Sequence, residues 1–289
     1  MSRTVLKLKR EVVSVLSKIF LKQVKTNYLG MPLIAPIVYG LKNGGYIVPD
    51  EIWMGNCLKT FLSTKQGTVL DIGVNVGLYL VKLRLLSKDV PYIGFEPNPS
   101  CLLYTHELIR LNNFKNSKLI PVALAENDDI AQFYASRIGD KGGSLIKDHL
   151  NESGHKFSFD ALVMNGDKLI EKFKLDKIAA IKIDVEEAEI YVLRGIIDTL
   201  KKYRPYVYCE ILAVAKDPER IERKDAICKL FSEIDYVIFG AGTDKKTLTQ
   251  VTDFNNVGVD FAAEYIFCPA EDTDKFIEEA KKYINIVVK

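Results

Sequence analysis

The stretch Val69-Leu70-Asp71-Ile72-Gly73-Val74-Asn75-Val76-Gly77-Leu78-Tyr79 limits the fold more than any other part of the chain. Thr68 to Ile72 is short, apolar and β-branched, as befits a strand covered on both faces. Gly73 and Gly77 bracket a turn where a side chain would block a ligand or a close helix–strand contact. Asn75, between them, tolerates left-handed backbone angles better than most residues. From Leu78 to Leu86 apolar residues recur at helical spacing, with Lys82 and Arg84 leaving the apolar face. Strand, glycine turn and helix in this order form the unit with which open α/β sheets bind nucleotide-like ligands.

Tyr92-Ile93-Gly94-Phe95-Glu96 is a second short apolar strand, and it ends in a carboxylate. An acid about 20 positions past the glycine turn is placed to accept hydrogen bonds from both hydroxyls of a ribose. NAD and S-adenosylmethionine each present such a ribose, and the turn separates them. A pyrophosphate needs the spacing G-x-G-x-x-G at a helix N-terminus. Here the spacing is Gly73-x-Asn75-x-Gly77, and the pyrophosphate glycine is missing. S-adenosylmethionine has no phosphate to cradle. The bland alternative is an ordinary α/β turn followed by an exposed acid.

A chain of 289 residues holds one large α/β domain plus an extension. A net charge of +2 argues against nucleic-acid binding driven by bulk charge, and no nucleic-acid partner is expected. Cys57, Cys101, Cys209, Cys228 and Cys268 are scattered, without a C-x-x-C pair, as thiols of a reducing, cytoplasmic compartment would be. No apolar run reaches the ~20 residues that span a bilayer. Charges interrupt Val12 to Leu21 and no small-residue cleavage site follows, so no signal peptide is expected. Residues 1–26 read as a basic amphipathic helix, with Val5, Leu8, Val12, Val15 and Ile19 on one face. Such a helix either docks on its own domain or makes a peripheral contact with the inner face of a membrane. The expected division is an N-terminal helical extension over 1–60 and one domain over 61–289.

Between the extension and the core strand, Tyr46-Ile47-Val48 reads as an edge strand and Glu51 to Phe61 as a helix. Past Glu96, Pro97-Asn98-Pro99-Ser100 caps a helix over Cys101 to Asn112 that buries Leu102, Leu103, Leu108 and Leu111. His106 within it reads as structural. Leu119 to Leu124 reads as a third strand, with Ala123 and Leu124 where an adenine would lie. Asp129 to Ala135 and Phe157 to Met164 read as strands flanking a long polar loop that holds Gly142-Gly143-Ser144, His149 and His155. Ala179 to Ile183 reads as a buried strand that becomes a helix near Val185. Its end carries Asp184, on the strand edge where open sheets bind ligands, and Lys182 shares a sheet face with it. Pro205 to Ile211 ends in Glu210 on the same edge, and a helix follows over Asp217 to Ser232. Tyr236 to Gly240 and Ala263 to Cys268 read as an antiparallel closing pair, and Glu271 to Tyr283 as a terminal helix.

Taken together, these stretches resemble the FkbM-type methyltransferases. The matching residues are Val69 to Gly77, Phe95-Glu96-Pro97-Asn98-Pro99, Asn113, Val122-Ala123-Leu124 and Gly143-Ser144-Leu145. Further on they are Asp167 after Asn165-Gly166, Ile181 to Glu186 with Ala188-Glu189, and Glu210-Ile211. Two positions depart from the family pattern: Glu187 stands where a glycine is usual, and Val74 where an alanine is usual. The resemblance implies a class I, Rossmann-like fold: a doubly wound, mostly parallel sheet with an antiparallel closing strand pair. It also implies S-adenosylmethionine as cofactor, a small-molecule or glycan acceptor, and methylation of a hydroxyl, often on a sugar.

On that reading Asp71, Gly73, Val74, Asn75, Gly77, Glu96, Pro97, Asn98, Ala123 and Leu124 hold the cofactor. An attacking hydroxyl must lose its proton, and a carboxylate or histidine in reach can take it. Asp184 is the expected base, with Lys182 and Glu186 beside it and His155 brought in by its loop. Asp184 and Glu210 together also suit Mg²⁺, which prefers oxygen ligands, although no metal is expected to be needed. Two other classes compete: a nicotinamide-dependent oxidoreductase, and a methyltransferase-like binding or scaffold module without turnover. The bulk of Glu187 favours the second of these.

Overall fold

Thr68–Ile72 forms a strand with every residue buried, and it lies within a nine-stranded sheet. The computed structural model describes residues 22–38, 41, 52–136, 142–147, 157–212 and 217–288. Its strands are β1 (Gln23–Tyr28), β2 (Met31–Pro36), β3 (Thr68–Ile72), β4 (Tyr92–Phe95), β5 (Ser117–Ile120), β6 (Ala123–Ala125) and β7 (Asp129–Ala135). They continue as β8 (Phe157–Asn165), β9 (Ile178–Ile183), β10 (Tyr206–Glu210), β11 (Tyr236–Ala241), β12 (Thr247–Gln250), β13 (Glu264–Pro269) and β14 (Asn285–Val287). The helices are α1 (Ile52–Thr64), α2 (Leu78–Leu86), α3 (Pro99–Asn112), α4 (Gly166–Glu171), α5 (Glu189–Gly195), α6 (Ile197–Tyr203), α7 (Pro218–Glu233) and α8 (Thr273–Ala280).

The sheet order is β14-β12-β11-β13-β10-β9-β3-β4-β5. Strands β5, β4, β3, β9 and β10 run parallel, and β13 is antiparallel to both β10 and β11. The chain winds outward from β3 through β4 to β5, then returns to β3's other side as β9. That reversal leaves a crevice at the carboxyl ends of β3 and β9, the place where such sheets take ligands.

Side-chain alternation builds one core on each face. Leu70, Ile72, Ile181 and Ile183 face α4 to α7, while Val69, Ala180 and Tyr208 face α1, α2 and α8. A second sheet, β6-β8-β7, follows β5 and projects over the crevice.

Several expectations need correction. The basic helix over 1–26 lies outside the described residues as far as 21, and Gln23–Tyr28 is a strand paired with Met31–Pro36. The turn Leu29-Gly30, with both φ positive, closes this hairpin. The edge strand at Tyr46 to Val48 also lies outside the described residues. Helix α1 crosses the boundary expected at 60, and its Trp53, Cys57 and Phe61 belong to the core of the large sheet. Pro121 breaks the expected third strand into β5 and β6, which enter different sheets. The buried face of α3 is Cys101, Tyr104, Thr105 and Leu108, whereas Leu103 is exposed. All five cysteines are buried free thiols. No helix among the described residues is long and apolar enough to cross a membrane.

Beside the apolar packing of Tyr28 and Leu33 on α3, one side chain of that helix hydrogen-bonds the hairpin. Asn112 Oδ1 accepts from the Ile34 N–H at 2.7 Å, and its Nδ2 donates to the Ile34 carbonyl at 2.8 Å. This amide imitates a strand partner for β2. Asn112→Ala leaves both Ile34 groups unpaired and is expected to lower stability by about 1–3 kcal/mol. Urea denaturation measures it, and an unchanged midpoint would show that solvent replaces the amide.

Candidate active site

A cavity, open on one side, sits at the carboxyl ends of β3, β4 and β9. Of the residues expected to hold a cofactor, Gly73, Asn75, Glu96, Pro97, Asn98, Ala123 and Leu124 line it. Asp184 and Glu186 line the same cavity from the other side.

Glu96 closes the glycine turn after β3. Its Oε2 accepts from the Asn75 N–H at 2.7 Å, and its Oε1 from the Asn98 N–H at 2.8 Å. Each oxygen keeps a lone pair for a further donor. Burial pushes its pKa up to about 7, against the pull of the Asn98 and Asn75 amides. Asn75 holds the turn with a left-handed φ of 55°. Gly73 is left-handed at 84°, and a Cβ there would stand 1.9 Å from the Asp184 carbonyl oxygen. No other residue type lets the turn approach the end of β9 this closely.

Three expected cofactor residues do not line the cavity. Asp71 is wholly buried, accepts from the Tyr92 hydroxyl at 2.6 Å and pairs with Lys182 at 3.5 Å. Burial raises its pKa, while Lys182 and Tyr92 lower it. Val74 packs its side chain into the space above Gly94, and Gly77 lets α2 meet Thr105 and Leu108 of α3. These residues support the turn from behind.

The catalytic candidates separate in the same way. Lys182 is 4% exposed, so it does not hold a substrate. Its Nζ donates to the Gly73 carbonyl at 2.5 Å and lies 3.2 Å from Asp184 Oδ2. Burial works against the charge, but Asp184 and Asp71 outweigh it and raise the lysine pKa. His155 lies outside the described residues. The helix expected near Val185 begins only at Glu189, because Glu186 and Glu187 are both left-handed. Glu189 is therefore the acid in its first turn.

Asp184, Glu186 and Glu210 each offer a carboxylate oxygen, and these atoms lie within 4.8 Å of one another. Glu210 is pushed up to about 9 by burial first and then by the charge of Asp184 and a hydrogen bond with it. Burial and the neighbouring Asp184 carboxylate both favour the protonated form of Glu210.

Sequence reasoning missed Cys101, Phe133, Gly143 and Leu145 as lining residues of the cavity. Gly143 and Leu145 fall in a matched motif, but nothing in the sequence shows that β7 brings Phe133 across. Asp167, in another matched motif, caps α6: its carboxylate accepts from Asp198 N–H at 3.0 Å and Thr199 N–H at 2.7 Å.

Among open parallel sheets, this one is set apart by an antiparallel strand wedged between β10 and β11, with an acid at the end of the strand after the glycine turn. That is the class I, Rossmann-like methyltransferase fold. The family model described as the methyltransferase FkbM domain matches residues 71–242, and the chain belongs to that family. Among its relatives, the hexuronic acid methyltransferase AglP of Haloferax volcanii is 26% identical over 166 residues, 57% of this chain and 63% of that protein. A tRNA(Phe) (4-demethylwyosine(37)-C(7)) aminocarboxypropyltransferase of Methanocaldococcus jannaschii is 26% identical over 157 residues, 51% of this chain and 59% of that protein. The chain thus spans about three fifths of each relative it matches. The crystal structure of an FkbM methyltransferase from Methylobacillus flagellatus is 16% identical, with a TM-score of 0.43 over 70% of this chain and 43% of that one. Strand order and the family match, not this distant likeness, carry the fold assignment.

If the hydroxyls of a ribose-bearing ligand donate to Glu96, binding favours its ionised form. Affinity for S-adenosylhomocysteine is expected to fall as pH drops below about 7, by up to ~10-fold per pH unit, and Glu96→Gln should flatten that dependence. For the free protein the sign is opposite. A folded pKa of about 7 against 4.5 means that this group favours folding at low pH, and the contribution is lost as pH rises through 7. Calorimetric titration across pH 5.5–8.5 measures the first effect, with about 7 as the expected break. A flat profile would remove Glu96 from the ribose.

Proposed function

We propose that this chain methylates a hydroxyl oxygen of a sugar-containing small molecule or glycan precursor, using S-adenosylmethionine. The observation that carries this reading is that Asp184 and Glu186 share one cavity with Gly73, Asn75 and Glu96. Bound there, S-adenosylmethionine supplies an activated methyl group. Glu96 receives its ribose hydroxyls, and Ala123 and Leu124 give an apolar wall for its base. Asp184, 34% exposed at its side chain, takes the proton of the acceptor hydroxyl. Holding acceptor and cofactor in one cavity supplies much of the acceleration. The relative AglP is named for a sugar acid, which supports a carbohydrate acceptor.

The oxidoreductase alternative falls with the family assignment. Glu187, whose bulk favoured a scaffold without turnover, does not line the cavity: its carboxylate turns to Arg220 and Arg223. A second chemistry has a specific observation behind it. The three converging oxygens of Asp184, Glu186 and Glu210 suit a hard divalent cation, Mg²⁺ above all, which would orient the acceptor oxygen.

The test uses S-adenosylmethionine labelled in the methyl group and, separately, in the carboxyl carbon, with fractionated polysaccharide, lipid and small-molecule acceptors. Transfer of the methyl label alone is expected. Transfer of the carboxyl label would mean aminocarboxypropyl transfer, as the second relative is named for, and binding without any transfer would mean a scaffold.

Asp184→Asn keeps the shape but cannot take a proton, so turnover should fall by about 10²–10⁴ with S-adenosylhomocysteine affinity within a few-fold. Under base catalysis, EDTA leaves the wild type active and Glu210→Gln is mild. Under metal catalysis, EDTA abolishes turnover, Mg²⁺ restores it, and Glu210→Gln matches Asp184→Asn. Full activity of Asp184→Asn contradicts both.

A further inference from the structure

The acid-bearing turn after β9 adopts a backbone its sequence does not favour. Glu186 and Glu187 both have left-handed φ, 55° and 77°, a region that glycine enters freely and other residues enter at a cost. Such a conformation persists only where its surroundings hold it.

Among the described residues, three sets of contacts do so. Ser144 Oγ donates to the Glu186 carbonyl at 2.6 Å. Glu189 Oε1 accepts from the Val185 N–H at 3.1 Å and the Glu187 N–H at 3.2 Å. Neither of these uses a side chain at 187, so a glycine there would keep both. The third set exists only because 187 is a carboxylate. Its Oε1 pairs with Arg220, and its Oε2 accepts from Arg223 Nη2 at 2.7 Å. The two arginines stand three positions apart on α7, so both reach from one helix face.

The Glu187 side chain is 5% exposed, and a buried carboxylate between two guanidiniums is a strong, directional contact. Two more exposed acids also approach these arginines. Arg220 Nε lies 3.7 Å from Asp217, and Arg223 Nη1 lies 3.4 Å from Glu219, with those acids 47% and 79% exposed.

We propose that Glu187, Arg220 and Arg223 form an ionic latch that locks the Val185–Ala188 turn to α7 and so fixes one wall of the cavity. Val185, Glu186 and Ala188 line that wall, while Glu187 points away from it. Glu187 is thus a positioning residue. The latch also joins two strand ends. The turn follows β9 and carries Glu186 beside Asp184, and α7 is the next helix after β10 and Glu210. Closing the latch holds the acids of one strand end at a set distance from the acid of the other. The inference rests on the proposed function only for the ligand that reads out the wall.

Two variants separate the latch from general stability. The double variant Arg220→Met, Arg223→Met keeps the unfavourable backbone and removes the latch. Glu187→Gly removes the latch and also relieves the backbone. Amide exchange over residues 185–189 is expected to quicken roughly tenfold in both, with β3 and β9 unchanged. Affinity for S-adenosylhomocysteine is expected to fall roughly three- to tenfold in both, although Glu187→Gly melts near the wild-type temperature. If the double variant does not fold, Glu187→Gln, which keeps the shape without the charge, takes its place. Unchanged exchange over 185–189 overturns the latch. Faster exchange with unchanged affinity overturns its positioning role. If the wild type binds no S-adenosylhomocysteine, the proposed function fails, and the exchange rates still decide the latch.

Discussion

A buried lysine joins the two halves of this site. Lys182 Nζ touches the carbonyl of Gly73 in the glycine turn, the carboxylate of Asp184 at the cavity wall and the buried carboxylate of Asp71. Asp71 and Lys182 face each other directly in the β3–β9 register, so the pairing of the central strands creates the contact. Taking such charges from water is costly, and losing one partner typically costs about 3–5 kcal/mol because the other is stranded. The expense is compatible with a site that must be rigid before any ligand arrives.

From that contact the rest of the geometry follows. With its carbonyl held by Lys182 and no Cβ to meet the Asp184 carbonyl, Gly73 brings the glycine turn against the end of β9. Glu96 then fastens the far side of the turn to the cap of α3. On the other wall, Ser144 and Glu189 hold the turn that carries Glu186. The cavity lies between two turns, each pinned by buried polar contacts.

The sequence disclosed these elements unevenly, for physical reasons. Strands buried on both faces announce themselves as short apolar runs, and β3, β4, β9 and β10 lie where they were expected. The acid-tipped strand ends were equally plain, since Glu96, Asp184 and Glu210 directly follow such runs. Roles were harder. Asp71 stands in the motif beside the residues that line the cavity, but alternation along β3 places it on the same face as Val69, toward Tyr92 and Lys182. Glu186 and Glu187 have helical composition, and only the tertiary contacts of Ser144, Glu189 and α7 hold them left-handed. Gln23–Tyr28 alternates as a strand does, yet it sits at the end of a helical pattern that masks it. Phe133 reaches the cavity because the second sheet folds over, which no local pattern records.

The tether through Lys182 makes a claim that stability alone cannot satisfy. Asp71→Leu, Tyr92→Phe and Lys182→Met together replace the buried polar cluster with apolar groups of similar size, a change that proteins often tolerate in stability. Titration of S-adenosylhomocysteine into that folded triple variant is the direct measurement. A cooperatively folded protein whose affinity has dropped at least about tenfold is the predicted result, since the Gly73 carbonyl and Asp184 have lost their common anchor. A folded variant with wild-type affinity would contradict the account.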